Sequence, residues 1–130
     1  MKRILLSCFL LTATVGITAI PHASAYAAPS PVTSAAFTAK VNLMDTQIGA
    51  GNITAAQATW NEIHDMMLSV LAVTKNSIRT AATPADEATY RTILTNQTNL
   101  YQTIWGLKPD LATNRVAIHA KLLDFSATIY

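Results

Sequence analysis

The stretch WNEIHDMM, residues 60–67, sets one histidine, two carboxylates and two methionines within about two turns of helix. Imidazole, carboxylate and thioether all ligate transition metals, and an imidazole beside a carboxylate can also move protons. Whether they act together depends on where each one points. A helix advances about 100° per residue, so with Met67 at zero Trp60 falls at about +20°, Ile63 at −40°, Leu71 at +40° and His64 at +60°. Glu62 and Asp65 fall at about −140° and +160°, on the solvent side. The cluster therefore comes apart, and His64 alone stays on the apolar arc. Met66, at about −100°, lies at the other margin of that arc, where a methionine is expected to pack.

A second histidine behaves the same way. With Leu122 at zero, Ile118 falls at about −40°, Phe125 at −60° and His119 at +60°. Both histidines thus sit on apolar arcs, and the elements that carry them must be placed before their chemistry can be judged.

Helical periodicity recurs in four segments, with almost no strand signal. In the first, Phe37, Val41, Met44 and Ile48 recur at spacings of four, three and four, and Gly49-Ala50-Gly51-Asn52 stops the helix. The second opens on Thr54-Ala55-Ala56-Gln57, a capping-box pattern, and its seam is Ala56, Trp60, Ile63, Met67, Val70 and Thr74. The third starts at Thr83-Pro84, with Asp86 and Glu87 facing the positive end of the dipole; its seam is Tyr90, Ile93, Gln97, Leu100 and Ile104. Gly106 is expected as its left-handed cap, and Pro109 as the stop. Asp110 is expected to cap a fourth helix with the seam Leu111, Arg115, Ile118, Leu122, Phe125 and Ile129. Helices over residues 34–48, 54–81, 84–107 and 111–130, joined by short turns, predict an all-α domain: an up-down-up-down four-helix bundle spanning 34–130. The second and third helices are longer than the first, so the hairpin from Lys75 to Arg91 is expected to project beyond it unless the chain preceding the first helix covers it.

In such a bundle His64 and His119 stand at about 15 and 12 Å from the same end, and Gln97 at about 15 Å. The expectation is one polar layer, His64, Gln97 and His119, that hydrogen-bonds internally and fixes helix register. The alternative is a metal or haem site built on His64 and His119. Against it, no carboxylate shares the layer, and Asn61 rather than Glu lies three residues before His64. Trp60, Tyr101 and Trp105 gather near one end of the bundle, where core filling is expected.

The chain begins with Lys2-Arg3, an apolar run from Ile4 to Ile20, Pro21, and small-x-small sites ending at Ala25 and Ala27. This is the pattern of a Sec-type signal peptide, residues 1–27, followed by a flexible Ala/Pro/Ser lead over 28–33. The expected location is periplasmic or secreted, with no membrane span in the mature protein. Of the nine Lys and Arg, two lie in the leader, so seven basic residues face seven acidic ones thereafter. That balance carries no electrostatic footprint for nucleic acid. The one cysteine, Cys8, also lies in the leader, which leaves no disulfide or thiolate metal site downstream. With no nucleophile elbow, phosphate loop or zinc-protease motif, no catalytic residues and no cofactor are expected. The reading is a non-enzymatic binding or interaction module whose partner is another protein or a second copy.

Overall fold

Helix α1, Ser34–Gly49, begins where Thr33 turns its side chain back to accept the Ala36 N–H, and it buries Phe37, Val41, Met44 and Ile48. The computed structural model describes residues 31–130; the signal-peptide reading and residues 28–30 of the lead over 28–33 lie outside the described residues. Helix α2 is Ile53–Arg79, α3 is Pro84–Leu107 and α4 is Arg115–Ser126, with a short 3-10 turn at Lys108–Asp110. No strand occurs among the described residues. None of these helices is long and apolar enough to cross a membrane.

Two helix starts and one expected cap differ from expectation, each for a local reason. Asn52, not Thr54, caps α2: its Oδ1 accepts the Ala55 N–H at 3.1 Å, so the helix starts at Ile53 and the Thr54–Gln57 box is not used. Asparagine caps at least as well as threonine, and Gly51 at φ 75° supplies the left-handed residue that lets the chain reverse just before it. Gly106 is no left-handed cap, since α3 continues through it to Leu107 and then tightens into the 3-10 turn. Helix α4 is shorter than the predicted 111–130. Asp110 holds a turn instead, its Oδ1 accepting the Thr113 N–H at 2.9 Å, and Asn114 spends its amide on the Leu107 carbonyl at 2.8 Å. That carbonyl belongs to the last residue of α3, so Asn114 ties the end of one helix as it opens the next.

Each helix packs on its chain neighbours, and α4 packs on α1. Polar ties mark these contacts. Thr59 donates to Gln47 at 2.8 Å and Lys40 pairs with Glu62 between α1 and α2. His64 meets Tyr101 between α2 and α3. Between α1 and α4, Arg115 grips Asp45 through two bonds of 2.7 and 2.8 Å, His119 meets Asn42 at 3.2 Å, and the Ser126 hydroxyl lies 2.8 Å from those of both Ser34 and Thr38. Apolar residues fill the space between. Trp60, Ile63 and Met67 from α2 meet Phe37 and Met44 from α1 and Ile118, Leu122 and Phe125 from α4 in one buried cluster, with the Phe37 and Phe125 rings 5.5 Å apart. At roughly 1.5–3 kcal/mol per fully buried large apolar side chain, this cluster is the main source of stability.

Helix α3 contributes least, burying only Gln97 and Ile104 fully. Its outer face carries threonines, and Thr89, Thr92, Thr95 and Thr103 each return their hydroxyl to the carbonyl four residues back. These threonines thus satisfy their hydroxyls within the helix, leaving a polar surface with few charges. At the hairpin that joins α2 to α3, the end of the chain lies against the helices: the Tyr130 O–H donates to Ser77 at 3.0 Å and its ring stacks on Tyr90 at 5.5 Å.

Candidate functional site

His64 is one-quarter exposed and faces α3, not the bundle axis. Its Nε2 shares a hydrogen bond of 3.0 Å with the Tyr101 hydroxyl. Trp105, one turn further along α3, brings its ring centroid to 5.2 Å from the imidazole and 6.2 Å from the Tyr101 ring. Lys108, at the start of the 3-10 turn, places its ammonium 5.0 Å from the Trp105 centroid. The i, i+4 spacing of Tyr101 and Trp105 puts both rings on one face of α3, and Lys108, three residues after Trp105 and still in αR backbone, sets its ammonium over the indole. Asp65 stays 83 % exposed, with its Oδ1 3.6 Å from His64 Nδ1, beyond a good hydrogen bond.

The two tryptophans part company here. Trp60 is core, 1 % exposed, whereas Trp105 leaves 47 % of its surface in solvent. Core filling therefore holds for Trp60 and fails for Trp105, which sits at about +80° from Gln97 on the wheel and so at the edge of its helix's buried arc. Leu68, one turn after His64 on α2, is also 45 % exposed. The α2–α3 flank thus offers an indole, a phenol, an imidazole, a leucine and one ammonium on a surface that elsewhere carries few charges.

The other two residues of the expected layer lie elsewhere. His119 faces α1, where its Nε2 lies 3.2 Å from Asn42 Oδ1 and its ring neighbours Asp45. The Arg115 guanidinium bonded to Asp45 holds that carboxyl below the usual carboxylate range, against the opposing effect of partial burial. Gln97 is fully buried, donating from Nε2 to the Thr128 carbonyl at 3.2 Å, while its Oε1 meets no partner. Thr128 lies past the end of α4, so its carbonyl is free to accept. No hydrogen bond joins any two of His64, Gln97 and His119; each has a different partner, and the single layer is replaced by three separate ties. His64 on the α2–α3 flank and His119 on the α4–α1 flank stand on opposite sides of the helix ring. Among the described residues no three His, Cys, Asp or Glu side chains group to hold a metal.

Two concavities lie elsewhere on the described surface. One, of about 40 Å³, lies among Pro31, Val32, Val70, Val73, Thr74, Ile129 and Tyr130, and is far below the few hundred Å³ that a small molecule fills. The second, of about 300 Å³, opens at the α2–α3 hairpin. No family model, curated protein or solved structure matches the chain.

Proposed function

We propose that the chain is an exported, non-enzymatic helical-bundle protein that acts by binding another protein or a second copy of itself, through the α2–α3 flank around Trp105. It works in the periplasm or outside the cell, after removal of a leader that ends at Ala25 or Ala27. Its helices run up-down-up-down, a reading supported by the ties of Gln47 to Thr59, His64 to Tyr101, Leu107 to Asn114 and Asp45 to Arg115, which join late residues of one helix to early residues of another. A rigid bundle of this kind presents a flank without rearrangement, which lowers the entropic cost of association.

The observation that carries the reading is the half-exposed Trp105, held by His64, Tyr101 and Lys108 rather than left free. Scattered exposed apolar residues need no explanation, and Val116 on α4, 81 % exposed, is one of them. An indole anchored among a phenol, an imidazole and an ammonium is different, because tryptophan and tyrosine dominate the energetics of protein interfaces. The balanced charge of the chain after its leader adds little repulsion against association. The alternative, a metal or haem held by His64 and His119, requires both imidazoles to leave Tyr101 and Asn42 and meet across the bundle; metal analysis and a Soret band in protein taken from its native compartment test it.

The binding reading is tested by photo-crosslinking in cells that export the protein, with a photoreactive residue at position 68 and, as a control, at position 116. Discrete crosslinked species from position 68 and none from 116 support it. Equal yields from the two positions contradict it.

A further inference from the structure

The hairpin between α2 and α3 holds a groove of about 300 Å³ lined by Ser77, Thr80, Ala81, Ala82, Asp86 and Tyr90. This volume lies at the lower end of small-molecule sites. The hydrogen-bonding state of its walls fixes what it can take. Ser77 donates its hydroxyl proton to the Val73 carbonyl at 3.2 Å, and Thr80 donates its own to Asn76 at 3.0 Å. Both hydroxyls therefore face the groove as acceptors only. Ser77 already receives the Tyr130 O–H, which pins the end of the chain beside the groove. Asp86 receives the Thr83 hydroxyl on Oδ2 at 2.7 Å, and its Oδ1 has no hydrogen-bond partner among the described residues. The C-terminal end of α2 adds a helix's negative pole and unpaired carbonyls, with Arg79 in its last turn, while the positive N-terminal end of α3 lies behind Asp86. No lysine or arginine lines the walls.

A wall of hydroxyl lone pairs, one carboxylate and a helix C-terminus calls for a ligand that brings N–H donors and positive charge. The alanine methyls and the Tyr90 ring add apolar surface for a short methylene chain. We propose that this groove is a binding site for a small aliphatic amine, whose primary ammonium is received by Asp86 Oδ1 with the Thr80 and Ser77 hydroxyl oxygens. The site is separate from the Trp105 flank, and either can fail without the other.

The test is a titration of the full chain with 1,4-diaminobutane followed by backbone amide NMR, with 1,4-butanediol as the neutral analogue of equal length. The diamine is expected to shift the amides from Thr80 to Asp86 saturably, and the diol to leave them unmoved. Asp86→Asn is expected to weaken binding about tenfold, since a charged hydrogen bond becomes a neutral one. The Thr83 cap on the Asp86 N–H remains in that variant, so its thermal unfolding checks that the hairpin is intact. Asp65→Asn, which removes an exposed acid elsewhere, is expected to leave binding unchanged. Absence of shifts, equal shifts with the diol, or equal weakening by Asp86→Asn and Asp65→Asn each overturns the proposal.

Discussion

His64 Nε2 and the Tyr101 hydroxyl stand 3.0 Å apart across the α2–α3 contact, and this bond, not the bundle axis, determines where the imidazole points. A partly buried hydrogen bond of this kind contributes about 0.5–1.5 kcal/mol. Tyr101→Phe is therefore expected to lower the unfolding free energy by about 1 kcal/mol in a denaturant titration. In a double-mutant cycle with His64→Leu the two changes are expected to couple, the pair costing less than the sum of the singles. Strict additivity would mean that the bond contributes nothing.

Asp45 and Arg115 give the fold a pH dependence of known sign. Because the folded carboxyl titrates below its unfolded value of about 3.9, the pair stabilises the protein fully above that pH and its contribution is lost as pH falls through the folded value. The two side chains are 28 % and 39 % exposed, so a contribution of about 0.5–1 kcal/mol is expected. Asp45→Asn should accordingly be less stable than wild type at pH 6, with the difference vanishing toward pH 2. A difference that persists unchanged across that range contradicts this assignment.

Gly49 answers to the same pair. A Cβ placed there would stand 2.7 to 2.9 Å from the Arg115 guanidinium, so the arginine must swing away and release Asp45. Gly49→Ala gains helix propensity of up to about 1 kcal/mol and loses an ion pair of similar size, so net stability should change little. What should change is the Asp45 titration, which moves up toward the ordinary carboxylate range and is followed by carboxyl NMR. An unmoved Asp45 would show that the guanidinium keeps its place.

Gln97 is buried with one acceptor unpartnered, and a buried unsatisfied polar atom costs about 1–3 kcal/mol. Methionine matches its length and removes that atom, at the expense of the single bond to Thr128. Gln97→Met is expected to be neutral or to stabilise by about 1 kcal/mol, whereas Gln97→Ala leaves a cavity and should cost about 2 kcal/mol or more. A methionine variant as unstable as the alanine one would show that the amide's bond outweighs its unsatisfied atom.

The apolar repeats of α1 and α2 marked those helices because burial acts on each of their turns, whereas of the α3 seam only Gln97 and Ile104 are fully buried. Phe37, Val41, Met44 and Ile48 all reached the core, as did the α2 seam from Ala56 to Thr74. Ends were harder to read, since Asn52 and Thr54 offer nearly equal caps and the choice between them is made by the turn at Gly51. The site was legible in part: Asp65 kept its exposure, whereas His64, expected inside the apolar arc, stands one-quarter exposed and turned toward α3. The layer failed because height along a bundle is only one coordinate. His64 and His119 share an offset of about +60°, and in a ring of helices an equal offset turns α2 toward α3 and α4 toward α1. Wheel angle, compared with the order of neighbours, carried that information. Lys108 over Trp105 was legible as an i, i+3 pair, but only if the helical backbone runs on through Gly106 instead of ending there in a left-handed cap.

The central claim is that the α2–α3 flank is a binding face anchored by Trp105, and its most direct measurement is the effect of Trp105→Ala on the yield of crosslinks from position 68 in exporting cells. Trp105 is half exposed, so the variant should keep its fold, as circular dichroism and thermal unfolding can verify. The account predicts a loss of at least about tenfold in crosslinked species, with Val116→Ala unchanged, in keeping with an interface anchor. Undiminished crosslinking from a folded Trp105→Ala protein would contradict it.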